Sequence, residues 1–226
     1  MSTSNKRGRI GSQRLLQAAV NQHPDLLYEA LRKAGAIHDS ENVSWTSPLE
    51  ADQFKEYRDQ AALEKIGITN PPHPLNNFWP KGGPVWDATG VTSSGKPILV
   101  EAKAHIPEAA SPASGASPQS LEKIEASLNA ARNYYAPRST SVWSGTFYQY
   151  ANRLAHQYYL KELNNIPSIL VFLNFINATD MDGPTTELEW KGAIRLIHAV
   201  LGLPKNLESH GIYHAYIDAK LIQVEP

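Results

Sequence analysis

The stretch Ser168–Ile176, SILVFLNFI, is a nearly continuous apolar run only nine residues long, opened by Ile166-Pro167. It is too short for a buried helix and lacks the alternation of a strand with one wet face. It therefore reads as a strand covered on both sides, the kind found at the centre of a sheet with helices on each face. The amphipathic segments around it fit that demand. Leu15, Leu16, Ala19, Val20, Leu26, Leu27, Ala30 and Leu31 recur at helical spacing, broken at His23-Pro24 and stopped at Gly35. Ser117-Pro118 opens a helix with Leu121, Ile124, Leu128 and Ala131 along one line, and Thr185 to Leu201 forms another, closed by Gly202 and Pro204. A further helix is predicted from Ser47-Pro48 to Ile66, with Glu50, Phe54, Tyr57 and Ala61 on its buried stripe. The fold class is α/β with a mixed central β-sheet.

Within that frame, Val85 to Val91 and Pro97 to His105 flank Thr92-Ser93-Ser94-Gly95-Lys96, small polar residues around a glycine that suit a hairpin connection. Phe78-Trp79 is read as the start of a preceding strand, turned by Lys81-Gly82-Gly83-Pro84. Side chains alternate across a strand, so Leu99, Glu101, Lys103 and His105 share one face and Ile98, Val100, Ala102 and Ala104 the other. Antiparallel pairing brings Asp87 within reach of Glu101. Two carboxylates that close raise each other's pKa unless a cation joins them, and a hard divalent ion is held by one or two carboxylates with water and phosphate. Asp87, Glu101 and Lys103 are thus a candidate metal site.

That arrangement, Asp87 followed fourteen positions on by Glu101-Ala102-Lys103 in a hairpin, resembles the PD-(D/E)XK nuclease superfamily. The resemblance implies a restriction-endonuclease-like core of order αβββαβ, placed over residues 45–176, with 11–40 as a helical appendage that packs or dimerises and 177–226 as a C-terminal helix and strand. It implies Mg²⁺ or Mn²⁺ held by Asp87 and Glu101, a Lys103 that orients or deprotonates the attacking water, and nucleic acid as partner, with DNA favoured over RNA. The superfamily name has proline before the aspartate, where this chain has Trp86, with Pro84 two positions further back. Members often add an acid from the helix before the hairpin, for which Glu50 is the candidate, and a Gln or basic residue from the helix after it.

In TFYQYANRLAHQYYLKEL, residues 146–163, Gln149, Asn152, Arg153 and His156 line the face opposite Phe147, Tyr150, Ala151 and Leu154. Such a face normally carries Lys and Glu; amides, an arginine and a histidine can instead bond a phosphate, a base or a metal-bound water. Gln149 is the catalytic candidate, and Arg153, Asn152 and the turn residue Lys81 are candidates for substrate binding. The run IPEAASPASGASPQS after His105 has the composition of a mobile connection.

The 21 basic and 22 acidic residues give a formal net charge of −1, which exerts no global pull on nucleic acid and argues against a histone-like role. The absence of cysteine excludes disulfides and thiolate metal sites. Residues 1–10 read as a disordered tail with no signal-peptide core, and no run approaches the roughly 18 to 20 apolar residues that span a bilayer, so a cytoplasmic protein is expected. A catalytically inactive binding or assembly module on the same fold is the alternative, and a hydrolase of smaller phosphate esters is a third reading.

Overall fold

The structure, a computed structural model, describes residues 10–222. Most of the tail expected over residues 1–10, and the end of the chain from residue 223, lie outside the described residues.

Five strands form one mixed sheet in the order β1-β4-β5-β6-β7: β1 (Val43–Ser47), β4 (Ala88–Thr92), β5 (Pro97–Lys103), β6 (Ile169–Ile176) and β7 (Ile212–Asp218). β1, β4 and β5 pair antiparallel, whereas β6 runs parallel to both β5 and β7. The apolar run at 168–176 is thus an inner strand with both faces buried. A separate two-stranded ribbon joins β2 (Tyr57–Arg58) to β3 (Val85–Trp86). The hairpin connection is as read, with Gly95 at φ +83 and Thr92 N–H donating to the Lys96 carbonyl at 2.9 Å.

Both faces of the sheet are covered. Ile98, Val100, Ala102, Ala104, Val171 and Leu173 bury against Leu16, Ala19, Leu27 and Leu31 of α1 (Gly11–Asn21) and α2 (Pro24–Lys33). The segment expected as an appendage is therefore one of the two layers that close the sheet. Each of these side chains is fully buried, and at about 1.5–3 kcal/mol per large aliphatic group the layer contributes substantially to the core. Leu99, Leu170, Phe172 and Ile212 point to the other face, under α6 (Pro118–Tyr135), α7 (Tyr148–Tyr158) and α8 (Glu187–Leu201). Ser117 caps α6 through the Ser120 N–H, and a Thr186–Glu189 capping box starts α8.

Two expectations are corrected. The helix predicted over 47–66 is absent: Glu50–Asp52 makes a single 3₁₀ turn, Gln53 and Phe54 take left-handed φ of 54 and 56, and only α3 (Asp59–Lys65) is helical. Consecutive left-handed residues cannot lie within a right-handed helix, so the chain turns there and Tyr57 enters β2. Phe78-Trp79 does not begin a strand but ends the short α4 (Leu75–Phe78); the first strand of the meander is β1, from a polar stretch with no strong strand pattern.

Candidate metal and phosphate site

Asp87 sits at the junction of two sheets. Its neighbour Trp86 pairs with Tyr57 in the ribbon, and Ala88 pairs with Val100 in the main sheet. Continued by one residue, the β4–β5 register places Asp87 opposite Glu101. Glu101 lies near the C-terminal end of β5, beside Phe172 of the parallel strand β6. Carboxyl ends of parallel strands are where open α/β sheets leave a crevice for ligands.

The charges around Glu101 are tightly arranged. Lys103 Nζ lies 2.5 Å from Glu101 Oε1, and Arg153 donates from Nε to Oε2 at 2.6 Å, with its Nη2 2.5 Å from the same oxygen. Arg153 comes from the middle of α7, where Asn152 Oδ1 accepts its Nη1–H at 2.8 Å and the Val85 carbonyl accepts Nη2–H at 2.9 Å. The face of α7 expected to meet water is buried, with Asn152, Arg153 and His156 all inside the protein. Its amides and guanidinium serve a buried carboxylate instead. Nε and Nη2 of Arg153 converge on the one oxygen Oε2, and such charge-assisted contacts are stronger than neutral hydrogen bonds. The side chains of Glu101 and Arg153 are each only 3% exposed, whereas Lys103 keeps 16%. Lys103 is the least buried of the three.

Burial raises the Asp87 carboxyl, and the nearby charge of Glu101 adds to it. Lys103, the Ala102 N–H that donates to Asp87 Oδ2 at 2.7 Å, and Arg153 oppose the rise, leaving the group pushed up to about 8. Burial also works to raise Glu101, but Arg153 and Lys103 outweigh it and hold that carboxyl below the usual range. For Lys103, burial favours the neutral amine, yet Glu101 and Asp87 prevail and the ammonium is stabilised. One carboxyl of the pair is ionised and satisfied by fixed cations; the other sits where burial and its neighbour disfavour ionisation.

A cleft of about 490 Å³ opens beside Asp87, walled by Arg58, Gly82, Gly83, Val85, Ser111, Gln149, Asn152 and Arg153 among others. Gln149 also borders a smaller pocket of about 30 Å³ that reaches Glu101, Lys103, Phe172 and His214. The segment after β5, through the short α5 (Ile106–Ala109), is held in place: Ser111 accepts from the N–H groups of Phe147 and Gln149, and Ser114 N–H donates to the Ser144 carbonyl. The stretch expected to be mobile therefore forms a wall of the cleft.

Asp87, Glu101, Lys103, Gln149, Asn152 and Arg153 are thus gathered at one place. Glu50 is not with them. It is exposed on its 3₁₀ turn, where its N–H donates to Asn21 Oδ1, and among the described residues no group of three or more His, Cys, Asp or Glu converges. The cause is the missing helix: the buried stripe that was to aim Glu50 inward does not form. Lys81 is exposed on the turn whose next two residues line the cleft.

Sequence reasoning missed Arg58 and Asp59. Asp59 accepts the N–H groups of Gly82 at 3.0 Å and Gly83 at 2.8 Å, fastening the turn that edges the cleft. A Cβ on Gly83 would stand 2.9 Å from Asp59 Oδ1 and 3.3 Å from His156 Nε2, so glycine is required by close approach. The Gly-Gly pair was the one signal in the sequence that something packs against this turn.

Asp87 lines the larger cleft and Glu101 the smaller pocket, with Gln149 bordering both. Carboxylate oxygens are donors suited to a hard cation, and such a charge would offset the cost of ionising Asp87. Comparison with protein-family models, with curated proteins and with solved structures finds no match for this chain. No helix among the described residues is long and apolar enough to cross a membrane.

Proposed function

We propose that the protein is a Mg²⁺- or Mn²⁺-dependent nuclease of the PD-(D/E)XK type, hydrolysing phosphodiester bonds in nucleic acid, with DNA favoured. The observation that carries this reading is the β4–β5 register that brings Asp87 opposite Glu101, with Lys103 2.5 Å from Glu101 and Asp87 lining a cleft. The element order supports it as well: helices, three antiparallel strands, helices, then a strand parallel to the third, which is the order of a restriction-endonuclease-like core.

In this reading Asp87 and Glu101 hold the ion. When bound, such an ion supplies Lewis acidity and lowers the pKa of its water. Lys103, kept charged by both carboxylates, would orient the attacking water and meet the negative charge that develops on the scissile phosphate; at about 4 Å in a partly screened site such a pair is worth on the order of 4 kcal/mol. Arg153 fixes the Glu101 carboxylate from behind, and Asn152 fixes Arg153. Gln149 presents an amide to the cleft wall, within reach of a phosphate oxygen or of water.

The test is cleavage of plasmid DNA, single-stranded DNA and RNA with Mg²⁺, Mn²⁺ or EDTA, comparing the wild type with Glu101→Ala and Lys103→Met. Metal-dependent cleavage that both variants lose is expected. Equal activity in wild type and variants, or none on any substrate, would end the proposal.

One observation favours a second reading, a binding or assembly module without turnover. Both Glu101 oxygens already face cations, Lys103 on one and Arg153 on the other, so this carboxylate is satisfied without a metal. Titration calorimetry with Mn²⁺ separates the two readings, since the module gives no heat that depends on Asp87.

A further inference from the structure

Arg153 and Arg58 both reach the cleft, but they are committed differently. Arg153 is consumed by Glu101. Arg58 donates from Nε to the Gly83 carbonyl at 3.0 Å and, among the described residues, makes no ion pair. Its guanidinium is exposed at the cleft wall, with the terminal N–H groups left over for a ligand. The anchoring also keeps the two guanidinium groups near one another. Arg58 hangs on the carbonyl of Gly83 and Arg153 on that of Val85, two residues further along. Carbonyls two residues apart lie no more than about 7 Å from one another. That is comparable to one nucleotide step along a strand.

The backbone around Arg58 is held as firmly as the side chain. Arg58 pairs with Val85 in the β2–β3 ribbon, and the next residue, Asp59, grips Gly82 and Gly83. The same Val85 carries the carbonyl that steadies Arg153 and precedes Asp87 by two positions. A planar guanidinium placed this way can donate to two oxygens of one phosphate.

We propose that Arg58 binds a backbone phosphate of a nucleic-acid strand, neighbouring the phosphate that lies at Asp87 and Glu101. This rests on the nuclease reading and adds to it a strand-positioning residue. Arg58 selects for a polymer: a mononucleotide or a simple phosphate ester fills the metal site alone and leaves the second phosphate position empty.

The experiment is fluorescence anisotropy of a labelled single-stranded oligonucleotide in EDTA, as a function of salt, for the wild type, Arg58→Gln, Arg58→Lys and the outside control Lys205→Ala. Each phosphate contact adds about 0.7 to the slope of log K against log salt for a single strand. Arg58→Gln is expected to weaken binding and reduce the slope by roughly that one contact, with Arg58→Lys recovering the slope and Lys205→Ala leaving it unchanged. Under cleavage conditions Arg58→Gln is expected to raise KM for the oligonucleotide with kcat little changed. A wild type that binds with a salt-dependent slope which Arg58→Gln leaves intact overturns this inference while sparing the nuclease reading. A wild type that neither binds nor cuts any nucleic acid overturns both. Circular dichroism of each variant confirms that folding is unaltered, and Arg58→Lys keeps the comparison decisive if the glutamine variant is unstable.

Discussion

Replacing Asp87 by Asn tests the electrostatics of the site without needing a substrate. The amide oxygen of Asn can still accept the Ala102 N–H, so the shape and that hydrogen bond are kept while the charge is removed. In the folded protein the Asp87 carboxyl is pushed up to about 8 from an ordinary value of 3.8. A carboxyl raised on folding stabilises the native state fully only below its unfolded pKa, and this contribution is lost as pH climbs toward the folded value. The wild type should therefore lose stability relative to Asp87→Asn at close to 1.4 kcal/mol per pH unit across the interval between the two values. From pH 5 to pH 7 the difference amounts to about 3 kcal/mol, or roughly 5 to 10 °C in Tm for a chain of this size. Urea unfolding followed by tryptophan fluorescence at pH 5, 6 and 7 measures it. Burial also depresses His156, to about 4, and His214, to about 3, but those groups titrate in both proteins and cancel in the difference. Manganese should reverse the effect at pH 7, stabilising the wild type by about 2.7 kcal/mol at a hundredfold excess over Kd and leaving Asp87→Asn unmoved. Parallel pH curves for the two proteins would refute the reasoning, because Asp87 would then be an ordinary ionised carboxylate outside the field of Glu101.

Other consequences follow from the same geometry. Arg153→Ala strands the Glu101 carboxylate in the interior and should cost about 3–5 kcal/mol in a urea melt, whereas Lys103→Met leaves Glu101 its Arg153 partner and should cost less while abolishing cleavage. Gly83→Ala forces a Cβ against Asp59 and His156, so a loss of about 1–3 kcal/mol is expected together with weaker oligonucleotide binding. The depressed His156 contributes stability that is present above its ordinary value of 6.5 and lost as pH falls toward about 4; a wild type whose acid unfolding is unchanged by His156→Phe would contradict this burial argument.

The parts of this molecule that could be read from sequence are those whose signal is local. The apolar run at 168–176 needed two covered faces and has them, and the Gly95 connection set the register that puts Asp87 opposite Glu101. What escaped depends on partners distant in the chain. Arg153 looked like a solvent-facing residue because nothing within α7 neutralises it; its partner is Glu101, 52 positions away. The helix predicted from Ser47 had good periodicity in Phe54, Tyr57 and Ala61, but left-handed backbone at Gln53 and Phe54 overrides it, and Glu50 was lost from the site with it. β1 is polar enough to pass for a loop, since an edge strand with Ser44 exposed has little burial to advertise. Arg58 gains its meaning only from the ribbon that pairs it with Val85.

The most direct measurement is a crystal soaked in Mn²⁺ and examined at the manganese absorption edge. An anomalous peak bridging the carboxylates of Asp87 and Glu101 is expected, with Lys103 alongside and no peak in Asp87→Asn crystals. A peak elsewhere, or none at a concentration that saturates calorimetry, would contradict the claim that these two acids are a metal site.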